Sequence, residues 1–364
     1  MTSAHPALDI RIFFRQAISL AKAGYSISII GQHDKNEILQ GIKIIALVKP
    51  KNRMRRFFSA PKILKLALLE NAYLYHFHDF DLIPVGIILK LFGKKVIYDV
   101  HEETAKSILS KYWIAKSLRK SIALLVRSIE VFTPYIFDLL ITNAEYIKTH
   151  FPGTNIICVT NFPTQDFLNT ANSPPRKKRD YLKLIYTGGV LTYFRGITNM
   201  VMALGYLQEN YQIRLILCGE FLPGHYKDEL KKIKGFQKVG CLGWINPPDI
   251  PGLVRDADIG IVTDLAEAQH IHGMSTKLFE YMACGLPVIV SDFPLWKEIV
   301  EGNHCGICVD PASPAEIARA ITYLAGHPEE RLRMGSNGRK AVLEKYNWEK
   351  ESKKLLGAYE KLYN

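Results

Sequence analysis

The chain of 364 residues lacks an apolar run that could cross a membrane. A spanning helix needs roughly 18 residues without charge, and the best candidate, residues 122–142, contains three charged residues. We interpret it as an amphipathic helix that leads into a strand. Asp9, Arg11 and Arg15 interrupt any early apolar region, so we expect no signal peptide. Both absences predict a cytoplasmic protein.

Cysteine is also scarce, with six residues that lie mostly in apolar, strand-like contexts. In a cytoplasmic protein this predicts reduced, buried thiols. Cys305 and Cys308 form one C-x-x-C pair, but a single pair cannot complete a four-ligand zinc site. We therefore interpret the pair as part of a strand over residues 306–309.

Acidic residues are under-represented, and the deficit is confined to one half. Residues 1–160 carry 22 lysines and arginines against 12 acidic residues, a net charge of +10, whereas residues 161–364 carry 25 against 23, or +2. A basic first half indicates an anionic partner, either nucleic acid or an acidic membrane surface.

Helical and strand-like periods alternate along nearly the whole chain, which predicts an α/β fold with parallel sheets. We expect two Rossmann-like domains, residues 1–162 and 181–346, that face an interdomain cleft. A Pro-rich and Arg-rich linker is predicted at 163–180, and a helix at 347–364 is expected to pack back on the first domain. Residues 1–8 are too few and too polar to form the first strand that this plan requires, so the first domain is predicted to lack it.

The segment 272–291 carries the clearest chemical signal. His272, Gly273 and Ser275 form a loop that leads into a predicted helix from Thr276, and the free N–H groups at such a helix start bind anions. Lys277 adds a positive charge. One turn later, Glu280 could accept hydrogen bonds from ribose hydroxyls. An ordinary amphipathic helix with Leu278, Tyr281 and Met282 in the core is the alternative interpretation.

A second anion site is predicted where a strand ends at Gly188 and Gly189, because paired glycines let the backbone approach a ligand closely. Arg195 follows and returns a guanidinium to the same sheet edge. Together, Arg195 and Lys277 would neutralise a diphosphate. The alternative is a plain strand-to-helix turn with a solvated arginine.

Polar residues also end two strands of the first half. His76, His78 and Asp79, with Glu102 nearby, could form a metal cluster of the kind that hydrolases use. Short polar clusters at strand ends are, however, common in this fold. His101 could instead reach a substrate hydroxyl.

Two basic runs with interleaved aromatic residues, 49–56 and 111–120, could lie on an anionic membrane surface. The same patches could instead bind nucleic acid, and solvated loops are the further alternative.

The ordered motifs resemble those of the retaining nucleotide-sugar glycosyltransferases of family 4, the group 1 transferases of the GT-B fold. The resemblance covers essentially the full length. The segments that carry it are Thr2-Ser-Ala-His-Pro with Asp9-Ile-Arg-Ile, His76-Phe-His-Asp, Tyr98-Asp-Val-His-Glu, the Gly188/Gly189 turn with Arg195-Gly, Lys277-Leu-Phe-Glu-Tyr-Met-Ala-Cys-Gly-Leu-Pro-Val-Ile, and Tyr346-Asn-Trp-Glu.

The resemblance implies that the second domain binds the nucleoside diphosphate, with Glu280 on the ribose and Thr276, Lys277 and Arg195 on the diphosphate. His101 matches the histidine that contacts the transferred sugar. The implied reaction needs no cofactor or bound metal, because cationic side chains and backbone donors stabilise the leaving diphosphate.

Two positions depart from the family pattern. His272 stands where a glutamate is common, eight residues before Glu280, and Gly189 stands where an arginine is common.

The leading hypothesis is transfer from a nucleotide sugar, UDP-linked, to a lipid-linked or polysaccharide acceptor at the cytoplasmic membrane face. Asp79 and Glu102 are expected on the acceptor side. The alternatives are a metal-dependent hydrolase built on His76, His78 and Asp79, or an inactive relative that binds membrane or nucleic acid. Nucleic acid is the less favoured partner.

Overall fold

The computed structural model describes residues 1–49, 56, 58–110, 114–171, 179–208 and 212–364. Contacts within this part of the chain divide it into two compact units: Met1–Asn161 with Lys350–Asn364, and Phe162–Glu349. Each unit contains predominantly parallel strands joined by helices, as the alternating sequence pattern predicts.

The strands of the first unit form two sheets. They are β1 (Ser28–Gln32), β2 (Glu37–Leu39), β3 (Ile42–Leu47), β4 (Leu74–Phe77), β5 (Lys95–Val100), β6 (Leu139–Thr142) and β7 (Ile156–Cys158). One sheet has the order β1-β3-β2 and the other β4-β5-β6-β7, and every pair except β2–β3 is parallel. Residues 1–8, predicted to form no strand, contain only an isolated bridge between Pro6 and Gln32.

The helices of this unit follow the predicted alternation. They are α1 (a π-helical part, Ile10–Ala17, and an α-helical part, Ile18–Lys22), α2 (Ala60–Glu70), α3 (Ile83–Leu91), α4 (Thr104–Ser110), α5 (Lys116–Ile136) and α6 (Glu145–Lys148). Asp9 caps α1, since its Oδ1 accepts hydrogen bonds from the N–H groups of Arg11 and Ile12. The wider π-helical turn, a feature often found near functional sites, begins the helix that carries buried Arg11.

The second unit is built on one six-stranded parallel sheet of order β10-β9-β8-β11-β12-β13. Its strands are β8 (Leu182–Leu191), β9 (Ile213–Phe221), β10 (Val239–Gly243), β11 (Ile259–Val262), β12 (Val288–Ser291) and β13 (Gly306–Val309). Both β11 and β12 are buried along their whole length, because helices cover both faces of a parallel sheet.

The helices of the second unit include one within the predicted linker. They are α7 (Gln165–Ala171), α8 (Ile197–Tyr206), α9 (Tyr226–Lys231), α10 (Ile250–Arg255), α11 (Ala268–Ile271), α12 (Thr276–Ala283), α13 (Pro294–Gly302), α14 (Pro314–Gly326) and α15 (Pro328–Glu344). Helix α7 lies inside the predicted linker, residues 163–180, and its Leu168 is buried in the core of this unit. The prolines that suggested a linker flank this helix, and residues 172–178 lie outside the described part.

The last helix, α16 (Trp348–Tyr363), begins in the second unit and ends in the first. Tyr359 is buried there, and its hydroxyl lies 2.9 Å from Nδ1 of His76. The backbone N–H of Thr160 donates to the carboxylate of Glu351 at 2.8 Å. The C-terminal residues are therefore part of the first unit's structure.

Candidate functional site

The glycine turn at the end of β8 is held by a buried tyrosine. The Tyr281 hydroxyl of α12 accepts a 2.7 Å hydrogen bond from the backbone N–H of Thr187, directly before Gly188. Gly260 of β11 makes room for that side chain, since a Cβ there would lie 2.2 Å from the Tyr281 ring. The pairing of β8 with β9 shifts register across the two glycines. The position of the turn is thus set by long-range contacts.

Lys277 lies directly beside this turn. A Cβ added to Gly188 would lie 3.7 Å from Lys277 Cε, and the Lys277 ammonium sits 5.2 Å from the ring centroid of Tyr186. Among the described residues the ammonium has no hydrogen-bond or ion-pair partner. Burial lowers the pKa of Lys277, against the opposing effect of Asp264. The structure therefore brings the two predicted anion sites together.

Arg195 reaches the same sheet edge through a second glycine. Gly196 has φ +66°, and a Cβ there would lie 1.8 Å from the carbonyl oxygen of Thr263, so only glycine fits. This close approach places Arg195 beside the end of β11, where its Nη1 donates to Asp264 Oδ2 at 2.6 Å. Sequence reasoning missed Asp264, although a carboxylate two residues after the end of an apolar strand is a usable signal.

No side chain caps the start of α12 among the described residues. The Ser275 hydroxyl is buried without a hydrogen-bond partner among the described residues, and it does not cap the helix. Free backbone N–H groups at a helix start favour an anion. Trp296 holds the preceding loop, because its indole N–H donates to the Gly273 carbonyl at 2.7 Å.

The other predicted residues of this site lie on the same segment. Thr276 and Glu280 are half-buried on α12, whereas His272 in the loop before it is exposed. Gly189 is exposed, and a Cβ there would meet no atom within 4 Å. The glycine at position 189, where the family commonly has an arginine, therefore leaves open space beside the turn.

In the first unit, the predicted histidines converge on a carboxylate that sequence reasoning did not select. Asp99 accepts two hydrogen bonds from Arg11, from Nε and from Nη2, both at 2.9 Å, and a third from Gln16 at 2.6 Å. His76 and His78 each have a ring nitrogen within 3.5 Å of Asp99 Oδ2. Both residues that orient Asp99 come from α1.

His101 completes this histidine cluster. Its Nε2 lies 3.1 Å from Nδ1 of His78, and its side chain is 20% exposed. Burial lowers the pKa of His101, His78 and His76, so all three are neutral near pH 7. Burial alone would raise the pKa of Asp99, but the Arg11 guanidinium and the two histidines outweigh it and hold that pKa well below its usual range. His101 is thus a neutral, partly accessible imidazole above a buried ion pair.

The structure assembles a different possible metal set from the predicted one. Ligand atoms of His76, His78 and Asp99 lie within 4.8 Å of one another. Asp79, the predicted third ligand, instead accepts hydrogen bonds from the Thr2 hydroxyl at 2.6 Å and the Ser3 N–H at 2.8 Å. Because Arg11 already pairs with both Asp99 oxygens, a divalent cation would be placed next to a guanidinium. This arrangement disfavours a metal.

Glu102 and the two basic runs are the remaining predicted features. Glu102 is exposed and accepts a hydrogen bond from the Ser107 hydroxyl. The basic run at 49–56 lies largely outside the described residues, which omit 50–55. Of the run at 111–120, residues 114–120 are described and 111–113 are not. In the part of the chain that the structure describes, no helix has the length and apolarity needed to span a membrane.

Comparison with solved structures identifies the fold class. Sucrose-phosphate synthase from Thermosynechococcus elongatus superimposes with a TM-score of 0.74 at 19% identity, over 95% of this chain and 91% of that one. The HepE protein of Anabaena, in complex with UDP and glucose, gives 0.68 at 18% identity, over 88% and 87%. The fold is therefore GT-B, as expected.

The family follows from the sequence comparisons. Residues 169–341 match the family of glycosyl transferases group 1. A glycosyltransferase of Methanocaldococcus jannaschii, itself uncharacterised, is 29% identical over 182 residues, 50% of this chain and 45% of the relative. Residues 169–341 thus match the group 1 glycosyltransferases, and this match confirms the resemblance seen in the motifs. The chain spans about half the length of such curated relatives.

Proposed function

We propose that the protein transfers a sugar from a UDP-linked nucleotide sugar, with retention of anomeric configuration, to a lipid-linked or polysaccharide acceptor. The observation that carries the proposal is Lys277, a half-buried ammonium that has no ion-pair partner among the described residues and lies beside an exposed glycine turn and an uncapped helix start. A diphosphate supplies the charge and the acceptor oxygens that this arrangement is missing.

The geometry of the second unit supports a diphosphate in particular. Arg195 and Lys277 place two positive charges at this sheet edge, and the Asp264 carboxylate pairs with Arg195. The guanidinium, the ammonium and the N–H groups of α12 would stabilise the charge that develops on the leaving diphosphate. We therefore propose that the reaction uses neither cofactor nor bound metal. Glu280, one turn further along α12, is the proposed ribose contact.

The choice of UDP rests on similarity alone. The Anabaena structure with the same fold contains UDP and glucose. In the first unit, His101 is the proposed contact to the transferred sugar, because it is neutral and partly exposed above the Arg11–Asp99 pair. Asp79 and Glu102 remain proposed acceptor-side residues, although Asp79 is buried and holds the first residues of the chain.

The acceptor proposal rests on the surface of the first unit. Helix α5 exposes Leu118, Leu125 and Phe132, which are spaced seven residues apart and therefore lie on one face. Lys116 and Lys120 are exposed on the same helix. Apolar and cationic side chains together favour an anionic membrane surface. We propose that the protein acts at the cytoplasmic face of a membrane, in the synthesis of cell-surface polysaccharide, rather than on nucleic acid.

A panel of UDP-, GDP- and ADP-sugars tests the donor. We expect UDP-sugars to raise the unfolding temperature and to be slowly hydrolysed, and Glu280→Ala to weaken both effects, because the ribose contact is lost. Glu298→Ala, which changes an exposed residue of the same unit, is the matched control. If no nucleotide sugar binds, or if Glu280→Ala behaves like the control, the proposal is wrong.

Two further measurements test the finer statements. The anomeric configuration of the product, read by NMR, should match that of the donor, and an inverted product would contradict retention. Sedimentation with phosphatidylglycerol vesicles, but not with phosphatidylcholine vesicles, should decrease when Leu125→Ser and Phe132→Ser are combined. Equal binding to both vesicle types would contradict the membrane proposal.

A further inference from the structure

A buried histidine of the second unit lies beside the anion site and takes no part in the proposed diphosphate contacts. His270 belongs to the short helix α11 and is 7% exposed. The charged groups that act on its ring are Asp264, Arg195 and Lys277, which meet at the same sheet edge. The imidazole is therefore within electrostatic reach of all three side chains.

Two hydrogen bonds fix the position of this ring. His270 Nδ1 lies 3.0 Å from the carbonyl oxygen of Leu265, the residue that directly follows Asp264. The N–H of Leu265 in turn donates to the carbonyl oxygen of Phe194 at 2.9 Å, directly before Arg195. The imidazole is thus attached to the segment that carries the Arg195–Asp264 pair.

The contact with Leu265 decides which ring nitrogen can accept a hydrogen bond. A carbonyl oxygen only accepts, so Nδ1 carries the proton and donates to Leu265. Burial lowers the pKa of His270, while Asp264 opposes that effect and Arg195 adds to it. The ring is therefore neutral near pH 7, and its Nε2 carries a lone pair.

Two hydrogen-bond acceptors lack a donor at this place. His270 Nε2 has no partner in the part of the chain that the structure describes, and it is not one of the fully buried atoms, so solvent reaches it. Asp264 Oδ1 is fully buried and likewise has no hydrogen-bond partner among the described residues. Such unpaired groups are costly, and they often mark the place of a ligand.

A diphosphate cannot supply the missing donors, because its oxygens are themselves acceptors. It suits Lys277, Arg195 and the N–H groups of α12 instead. Hydroxyl groups do supply donors, and the sugar that is bonded to the diphosphate carries several. Ribose hydroxyls also donate, but Glu280 is the proposed contact for these. The cations and the two acceptors therefore match different parts of one nucleotide sugar.

We propose that His270 Nε2 accepts a hydrogen bond from a hydroxyl group of the transferred sugar, so that His270 distinguishes one donor sugar from another. This role rests on the proposed function and adds a specificity-determining residue to the same site. Loss of the imidazole should consequently weaken the binding of the nucleotide sugar and leave the binding of the free nucleotide unchanged.

His270→Asn removes the acceptor and retains the donor, because the amide N–H of asparagine lies near the position of Nδ1. Calorimetric titration with UDP, UDP-glucose, UDP-galactose and UDP-N-acetylglucosamine measures the effect. We expect the affinity for UDP to stay unchanged and the affinity for the tightest UDP-sugar to fall about tenfold. His225→Asn, at an exposed site of the same unit, is the matched control and should change neither affinity.

Analogues of the tightest UDP-sugar that each lack one hydroxyl assign the contact. One of them should bind the wild type about tenfold more weakly than the parent sugar does, whereas His270→Asn should bind both equally. A wild type that binds every analogue as tightly as the parent overturns the proposal, whether or not the variant folds.

The other outcomes separate this proposal from the proposed function. If His270→Asn loses affinity for UDP as well, the imidazole contacts the nucleotide and the proposal is wrong. If UDP-sugars bind the wild type and His270→Asn remains sensitive to the same missing hydroxyl, only the role of His270 is refuted. If no UDP-sugar binds the wild type, the role of His270 and the proposed function are both wrong.

Discussion

Arg195 donates a 2.6 Å hydrogen bond from Nη1 to Oδ2 of Asp264, while Oδ1 of this buried carboxylate has no hydrogen-bond partner among the described residues. The pair holds the guanidinium next to Lys277 before any ligand arrives. Asp264 therefore both screens the two cations from each other and competes with an incoming anion.

Asp264→Asn should destabilise the unliganded protein by about 1–3 kcal/mol, because a hydrogen bond to a charged group is lost and the two cations repel each other unscreened. A bound nucleoside diphosphate would take over the screening, so the thermal shift that UDP produces should be larger in the variant than in the wild type. Thermal unfolding with and without UDP measures both effects. Asp292→Asn, which changes an exposed residue of the same unit, is the control. If Asp264→Asn loses the same stability with and without UDP, Asp264 does not screen the two cations.

Lys277→Met should separate binding from stability. Since the ammonium is half-buried and forms no ion pair within the part of the chain that the structure describes, an apolar side chain of similar length should leave the unliganded stability unchanged or raise it. Affinity for UDP should fall at least tenfold, which corresponds to about 1.4 kcal/mol.

Calorimetric titration and denaturant unfolding of Lys277→Met supply these two numbers. Lys297→Met, at a site 53% exposed, should change neither. A variant that loses stability while it keeps its affinity for UDP would show that Lys277 is structural.

Tyr281→Phe should destabilise the second unit by about 1–3 kcal/mol, because the backbone N–H of buried Thr187 loses its acceptor. The glycine turn follows directly, so affinity for UDP should fall as well. Denaturant unfolding and UDP titration give the two effects. Tyr206→Phe removes a hydroxyl from a side chain that is 67% exposed and should change neither the stability nor the affinity for UDP. Unchanged affinity for UDP would mean that the turn is positioned by other contacts.

The stability of the protein should fall as the pH decreases from about 7.5 to 5.5. Burial lowers the pKa of His76, His78 and His101 in the folded state, whereas histidines in the unfolded chain titrate near 6.5. Below that pH the unfolded state binds more protons, and each such proton contributes up to about 1.4 kcal/mol per pH unit. Denaturant unfolding across this range measures the slope.

A substitution can assign that slope to the histidine cluster. His78→Asn should make the pH dependence shallower, whereas His225→Asn, at an exposed site, should leave it as in the wild type. Stability that is flat or that rises on acidification would contradict the lowered histidine pKa values.

Local patterns in the sequence predicted most elements correctly. The predicted alternation of strands and helices is present in both units, because short apolar runs such as residues 139–142 and 259–262 are typical of buried strands. The antiparallel strand β2 and the edge strand β10 were missed. Both are short or weakly apolar, so neither carries a periodic signal.

The sequence by itself determined the glycine turn at Gly188 and Gly189, the helix start at Thr276 and the cations Arg195 and Lys277, since each is a local combination of residue types. Only the tertiary structure decided which groups face them. Asp264 lies 69 positions from Arg195, Asp99 lies 88 from Arg11, and Tyr281 lies 94 from Thr187. Those pairings depend on strand order and register, which are set by packing across the whole sheet and leave no local pattern.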